Sequence, residues 1–435
     1  MQRLLSRLTN RLPAALRDRL TAARFAREID RQSRQHPPRT SAPTPPQRLL
    51  LIASDPRTLV GARGDEAMVS AVVGTLRHAC PTLRVAVVTG TAEASAAARS
   101  MGLEPIELWE PFDLVRIGAA VRAFAPDAAV LIGADVMDGH YSVPNTLRRI
   151  AVAELAARGG ARALVTGFSF NDRPAPVLAA ALDRLSGQVL LNLRDPISLE
   201  RLRRFSRTEA RLVADVAFLL EPAIDAARGA AVLPWIEARR VAGDRVLAVN
   251  LHPMLFAADR QSDVEALVDS VARVLTRLAA ERPVSWLLLP HDFRGARGDN
   301  ACLTPLAQRV AAELGPRLLH AAGPWSAAEL KAIAGATDAV FTGRMHLAIA
   351  ALGRGVPVAA LTYQGKFHGL WQHFALPTEL LMAPADALDT NELEALLRRL
   401  LDDIEPLADQ VRQRLPQVHA LAAANLAPLL EGATA

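Results

Sequence analysis

From residue 48 onward the chain repeats one pattern, a short apolar run followed by a stretch with helical spacing, and this pattern limits the fold more than any other feature. Candidate strands lie at 48–53, 84–88, 128–132, 163–166 and 189–193, with helical segments such as 65–77 and 146–158 between them. The pattern resumes at 246–251, 286–290, 339–342 and 356–362. Strands that alternate with helices specify parallel sheets covered on both faces. Between the two sets, residues 221–240 contain Pro222, Gly229 and Pro234, and the domain junction is placed there. The expectation is α/β: two Rossmann-like doubly wound domains, 48–225 and 226–425. No short-period repeat is present, although two halves of similar size amount to a coarse duplication.

The 435 residues are 51% hydrophobic and 22% charged, an ordinary globular composition with length enough for two cores. No apolar run approaches the roughly 20 residues that cross a bilayer. No apolar segment with a small-residue cleavage site follows the N-terminus, so a secretory signal is not expected. Cys80 and Cys302 are too few and too far apart for a disulfide framework, which fits a reducing compartment and a cytoplasmic location.

The net charge of +5 is unevenly distributed. Residues 1–35 hold nine arginines and three acids, a net of +6, which leaves the remainder at −1. A body of that charge does not read as a nucleic-acid binder. The first 35 residues read as a basic amphipathic helical tail. Leu4, Leu8, Leu12, Leu16 and Leu20 recur every four residues beside Arg3, Arg7 and Arg11, and Pro13 is expected to kink or split the helix. Such a helix suits an anionic membrane surface, and equally suits packing on its own body or on a second subunit. Residues 36–47, rich in proline, read as a stiff linker. Forty-eight of the fifty basic residues are arginine, so Lys331 and Lys366 stand out.

In open α/β sheets ligands bind beyond the carboxyl ends of the strands, and several polar residues fall there. Strand 339–342 runs into Gly343, after which Arg344 and His346 open an apolar helix, where the helix N-terminus favours an anion. The competing structural reading pairs Arg344 with a local acid and makes His346 a satisfied buried histidine. Tyr363 ends the next strand, and Lys366 follows at the turn, a point charge suited to phosphate. Arg194 ends strand 189–193, while the neighbouring Asp195 before Pro196 reads as a helix N-cap. His291 and Asp292 follow another strand. With His252 they bring metal ligation to mind, but their spacing matches no zinc pattern. The turn containing Gly61, Arg63, Gly64, Asp65 and Glu66 is glycine-rich yet has neither the dinucleotide nor the Walker spacing. Gly133, Ala134 and Asp135 form a similar turn.

The stretch 341–370, with Gly343, Arg344, Met345, His346, Gly355, Val356, Pro357, Tyr363 and Lys366, resembles the C-terminal signature of the polysaccharide pyruvyl transferases. Arg194 to Pro196 with Ser198, Asp215 with Phe218, and Pro290 to Asp292 resemble further blocks of that family, and Gly64 to Glu66 resembles its N-terminal motif. The resemblance covers roughly 48–400 and implies a GT-B-like fold with the active site in a cleft between the domains. It implies phosphoenolpyruvate as donor, a sugar or lipid-linked oligosaccharide as acceptor and no cofactor. Arg194, Arg344 and His346 would then serve the donor. His346, Arg344 and Asp65 are the catalytic candidates. Arg194, Lys366, Tyr363, His291, Asp292, Gly64 and Glu66 are the substrate-binding candidates. No metal and no nucleic acid are called for.

Two positions depart from the family, which usually carries Asn where this chain has Ala62, and often carries consecutive glycines where it has Ala134 and Asp135. Both lie in the half assigned to the acceptor. A lipid-linked acceptor would place the protein at the inner face of the membrane, with residues 1–35 as the contact. Two other functions share these features: a nucleotide-sugar-dependent GT-B-type glycosyltransferase, and a non-catalytic subunit of a polysaccharide assembly complex.

Overall fold

The structure, a computed structural model, describes residues 13–39, 42–185, 187–362 and 365–431. The described residues form two compact units, one drawn from the stretches up to Val60, Val72–Val216 and those from Leu421 on, the other from Gly61–Ala71 and Ala217–Ala420.

The first unit is built on a wholly parallel sheet of β1 (Arg48–Ile52), β2 (Arg84–Thr89), β3 (Glu104–Glu107), β4 (Ala128–Leu131), β5 (Arg162–Phe168), β6 (Val189–Leu193) and β7 (Ala210–Leu212). Its spatial order is β3-β2-β1-β4-β5-β6-β7. Leu49 to Ile52 are fully buried because helices cover both faces of the central strands. The order reverses direction between β1 and β4, where a doubly wound sheet opens its ligand crevice. β3 was not expected from sequence; its Glu-Pro-Ile-Glu run is an edge strand, where proline is tolerated.

The helix Ala14–Gln35 starts immediately after Pro13, whose carbonyl accepts from Leu16 N at 3.0 Å. The described helix begins at this proline, and residues 1–12, with Leu4, Leu8 and Leu12, lie outside the described residues. Phe25, Ile29 and Gln32 are buried against the unit, while Leu16 and Leu20 stay exposed. The segment expected as a spacer also lies on the unit. Arg39 Nη1 donates to Ala125 O (2.7 Å) and Arg162 Nη2 to Pro43 O (2.6 Å).

The second unit repeats the plan with β8 (Arg245–Asn250), β9 (Val284–Leu288), β10 (Leu318–His320), β11 (Ala339–Thr342), β12 (Val358–Leu361) and β13 (Leu381–Met382), in the order β10-β9-β8-β11-β12-β13, again all parallel. Its reversal falls between β8 and β11. The glycine turn at Gly64, expected with the N-terminal domain, belongs to this unit through the first turns of the helix Arg63–Ala79. Lys331 is buried here; its Nζ donates to the carbonyls of Phe218 (2.8 Å) and Leu220 (2.7 Å), and burial lowers its pKa to about 8.

Candidate functional site

The carboxyl ends of β8, β9 and β11 meet in the second unit, and one asparagine ties them together. Asn250, fully buried at the end of β8, donates to Leu289 O (3.0 Å) and Asp299 Oδ2 (2.7 Å) and accepts from Thr342 Oγ1 (3.0 Å). Asp299 Oδ2 also accepts from the backbone N–H groups of His291 (2.7 Å) and Asp292 (3.1 Å). Its other oxygen receives Arg344 through Nε (3.0 Å) and Nη2 (2.6 Å). Arg344 Nη2 also lies 3.4 Å from Asp292 Oδ2, and Asp292 is gripped from its other side by Arg294. The guanidinium is thus fixed by a buried network, while its side chain keeps 13% exposure for a ligand.

Arg344 is the N-cap of the helix Met345–Leu352, with His346 in the first turn. The His346 ring lies directly against Gly64. A Cβ on that glycine would fall 2.8 Å from His346 Cγ, well inside contact distance. Glycine is therefore required here by space, not by backbone conformation. Next to it, Arg63 stacks its guanidinium 5.3 Å from the centre of the Phe293 ring and pairs with Glu66. Glu66 Oε1 accepts from Ala327 N (3.2 Å), at the amino end of the helix Ala327–Gly335. Asp65 is half-buried in the same turn as Gly64.

Electrostatics separate these groups. Burial, then the Arg344 charge, hold His252 well below the usual imidazole range, so it is neutral and its Nε2–H donates to Gly343 O (3.1 Å). His291 is held well below that range too, first by burial, then by His346 and Arg344, with Arg63 adding and Asp292 opposing. Burial pushes the Asp299 carboxyl up, against the opposite pull of Arg344 and Asn250. Burial acts the same way on Asp292, but Arg294 and Arg344 prevail and lower it.

The structure therefore gathers Arg344, His346, His291, Asp292, Gly64, Asp65 and Glu66 in one unit. Arg344 does pair with an acid, Asp299, which sequence reading left as the end of a polar loop. Its position just before the helix Asn300–Leu314 reads as an N-cap, yet its side chain makes no capping bond. Lys366 is half-buried as the first residue of the helix Lys366–Phe374, beyond β12. Tyr363 lies outside the described residues. Arg194 belongs to the first unit, where it is 4% exposed and donates to Ser169 Oγ and Asp215 Oδ2, both at 2.8 Å. Asp195 beside it caps the helix Pro196–Phe205 through Ser198 N (2.7 Å). Among the described residues no group of three or more His, Cys, Asp or Glu is placed to hold a metal ion.

Two parallel-sheet α/β units of this kind make a GT-B-like fold, and several of the solved structures similar to it are named as glycosyltransferases or UDP-N-acetylglucosamine 2-epimerases. The chain belongs to the polysaccharide pyruvyl transferase family, whose family model matches residues 63–365. In fold it is similar to a Listeria monocytogenes protein assigned as a UDP-N-acetylglucosamine 2-epimerase, with TM-score 0.58, 14% identity, and 88% of this chain and 95% of that one covered. It is similar also to the UDP-GlcNAc 2-epimerase from Neisseria meningitidis bound to UDP-GlcNAc (TM-score 0.55, 10% identity, 88% and 99% covered). A glycosyltransferase from Rickettsia africae matches with TM-score 0.51 and 9% identity over 91% and 100%. At such identities the likeness is one of fold. No curated protein matches by sequence.

Proposed function

We propose that this protein is a pyruvyl transferase that uses phosphoenolpyruvate as donor and converts two hydroxyls of a sugar into a pyruvate ketal. The observation that carries the reading is Arg344, held by buried Asp299 at a helix N-terminus with His346 two residues on, in the first turn at the same sheet edge. A donor with a carboxylate and a phosphate needs fixed cations, and a guanidinium fork binds either group with two parallel hydrogen bonds. Arg344 and Lys366, both in the second unit, would take the anionic groups.

The reaction adds a proton to the methylene carbon of the enol phosphate, leaving an oxocarbenium-like centre. One sugar hydroxyl attacks that centre and loses its proton. The carbon–oxygen bond to phosphate then breaks, and the second hydroxyl closes the ring and loses its own proton. Of the two protons released, one balances that taken by carbon and the other leaves on inorganic phosphate. His346 is the group for this traffic, since imidazole gives and accepts protons near neutral pH. Asp65, Glu66 and Asp292 are the carboxylates placed to assist as base. Neutral His291 would line the same pocket without adding charge.

The acceptor would be a sugar of a cell-surface polysaccharide, free or lipid-linked. The exposed Leu16 and Leu20, with the arginines of the N-terminal segment, support reversible contact with an anionic membrane at its inner face. Among the described residues no helix is long and apolar enough to cross a membrane.

The test is phosphate release from phosphoenolpyruvate in the presence of free or lipid-linked glycans, with nucleotide sugars as the parallel donor series. Arg344→Ala is expected to lose several kcal/mol, about 3, of transition-state stabilisation while circular dichroism is unchanged. His346→Gln is expected to lower turnover about 10²–10⁴-fold with a much smaller loss of donor affinity. Turnover with a nucleotide sugar and none with phosphoenolpyruvate would replace this reading by a glycosyltransferase.

A further inference from the structure

The turn after β4 departs from the family's glycines, and the structure gives that departure a role. Residues 132–142 leave the carboxyl end of β4 beside the β1/β4 reversal, the edge where doubly wound sheets present ligands. Gly133 must be glycine, since a Cβ would lie 2.7 Å from Phe168 Cβ. Ala134 sits in the left-handed region (φ 45°), uncommon for a residue with a side chain, and its carbonyl accepts from Ser169 N at 2.8 Å. Thr146 Oγ1 donates to Val136 O (2.7 Å). Asp138, 1% exposed, accepts from His140 N (2.9 Å) and Asn171 N (3.1 Å). The loop is held to the body at every second or third residue.

On this rigid loop stands Tyr141, one of two tyrosines in the chain and 57% exposed. Its hydroxyl donates to Asp135 Oδ2 at 3.0 Å, which fixes the ring's direction, and the His140 ring meets it edge-on at 5.1 Å. A large exposed ring is usually tolerated singly on a mobile tip; here the scaffold spends backbone strain and a buried carboxylate on presenting it. We propose that Asp135, His140 and Tyr141 form a carbohydrate-binding site that takes a neutral pyranose. The apolar C–H face of the sugar would lie on the Tyr141 ring, an amphipathic surface with little side-chain entropy to lose. The Asp135 carboxylate and the His140 imidazole would accept or donate to the ring hydroxyls. The carboxylate sets the class, since it repels phosphorylated ligands and so disfavours a nucleotide. That the pyranose is the acceptor of pyruvyl transfer rests on the function proposed above; the binding site itself does not.

The experiment is saturation-transfer NMR of the full chain with methyl galactoside, glucoside and mannoside, and separately with UMP, all without phosphoenolpyruvate. At least one methyl pyranoside is expected to receive saturation from the aromatic protons, most strongly on its C–H face. Tyr141→Ala is expected to weaken its binding about tenfold. Tyr141→Phe, which keeps the ring and loses the bond to Asp135, is expected to weaken it less. Absence of transfer to every sugar, equal binding by Tyr141→Ala, or loss of UMP binding rather than sugar binding in that variant would each overturn the proposal. Because the donor is left out, a failed phosphate-release assay and a failed sugar-binding assay are separate results.

Discussion

Gly64 and His346 are 282 positions apart in sequence, yet the space of one is filled by the other. A methyl group at position 64 would have to push the imidazole out of place. Gly64→Ala is expected to lower turnover about 10²-fold, the scale of an ångström-sized displacement of a reacting group. Its cost to stability is about 1–3 kcal/mol, and steady-state kinetics beside thermal unfolding separates the two effects. His252 and His291 supply a second test at this scale. Both are held below the unfolded value near 6.5, so the unfolded chain binds more protons under acid. The stability they contribute is full above about pH 6.5 and is lost as pH falls toward their folded values. Tm is expected to drop between pH 7.5 and 5.5, and His252→Asn to flatten that slope; an unchanged slope would show that His252 is not held neutral. Sequence placed Arg344 and His346 at a strand end because strand, glycine and apolar helix are consecutive. It did not show Asp299, because the bond that gives this residue its meaning spans 45 positions.

At the scale of elements, the helix Ala14–Gln35 has two different ends. Its second half buries Phe25 and Ile29, worth about 1.5–3 kcal/mol each, so removing it would open the core of the first unit. The membrane contact proposed for the segment therefore has to be tested without deleting the helix. A chain beginning at residue 13 with Leu16→Ser and Leu20→Ser is the comparison. The full chain is expected to sediment with anionic vesicles at low salt and to be released as salt rises, and the altered chain to stay in solution. Equal sedimentation would leave the helix a packing element only. Elements were legible in proportion to their burial. Central strands such as β1, β4 and β8 are continuous apolar runs because both faces are covered. β3, β7, β10 and β13 escaped because short edge strands with half-exposed residues carry no such run.

For the whole molecule, the alternation of strand and helix forecast two parallel-sheet units, but not that each would be assembled from separated stretches. Asn425 shows how the chain end returns to the first unit. Fully buried, it accepts from Gly167 N (2.7 Å) and donates to Ala214 O (2.9 Å) and Ala422 O (2.8 Å). Asn425→Ala leaves Gly167 N and Ala214 O without that partner, while Ala422 O keeps its bond from the backbone N–H of residue 425; the change is expected to cost about 1–3 kcal/mol for each of the two groups, read as a lower denaturant midpoint, and an unchanged midpoint would show that the return is ornamental. The same strap sets an order of events during synthesis. The last strand of the first sheet ends at Leu212, yet Asn425 is made 213 residues later. At ribosomal speeds of about 5–20 residues per second that is roughly 10 to 40 s. For that interval every strand of the first sheet has been synthesised, while the Gly167 N–H in β5 still waits for the side chain that binds it.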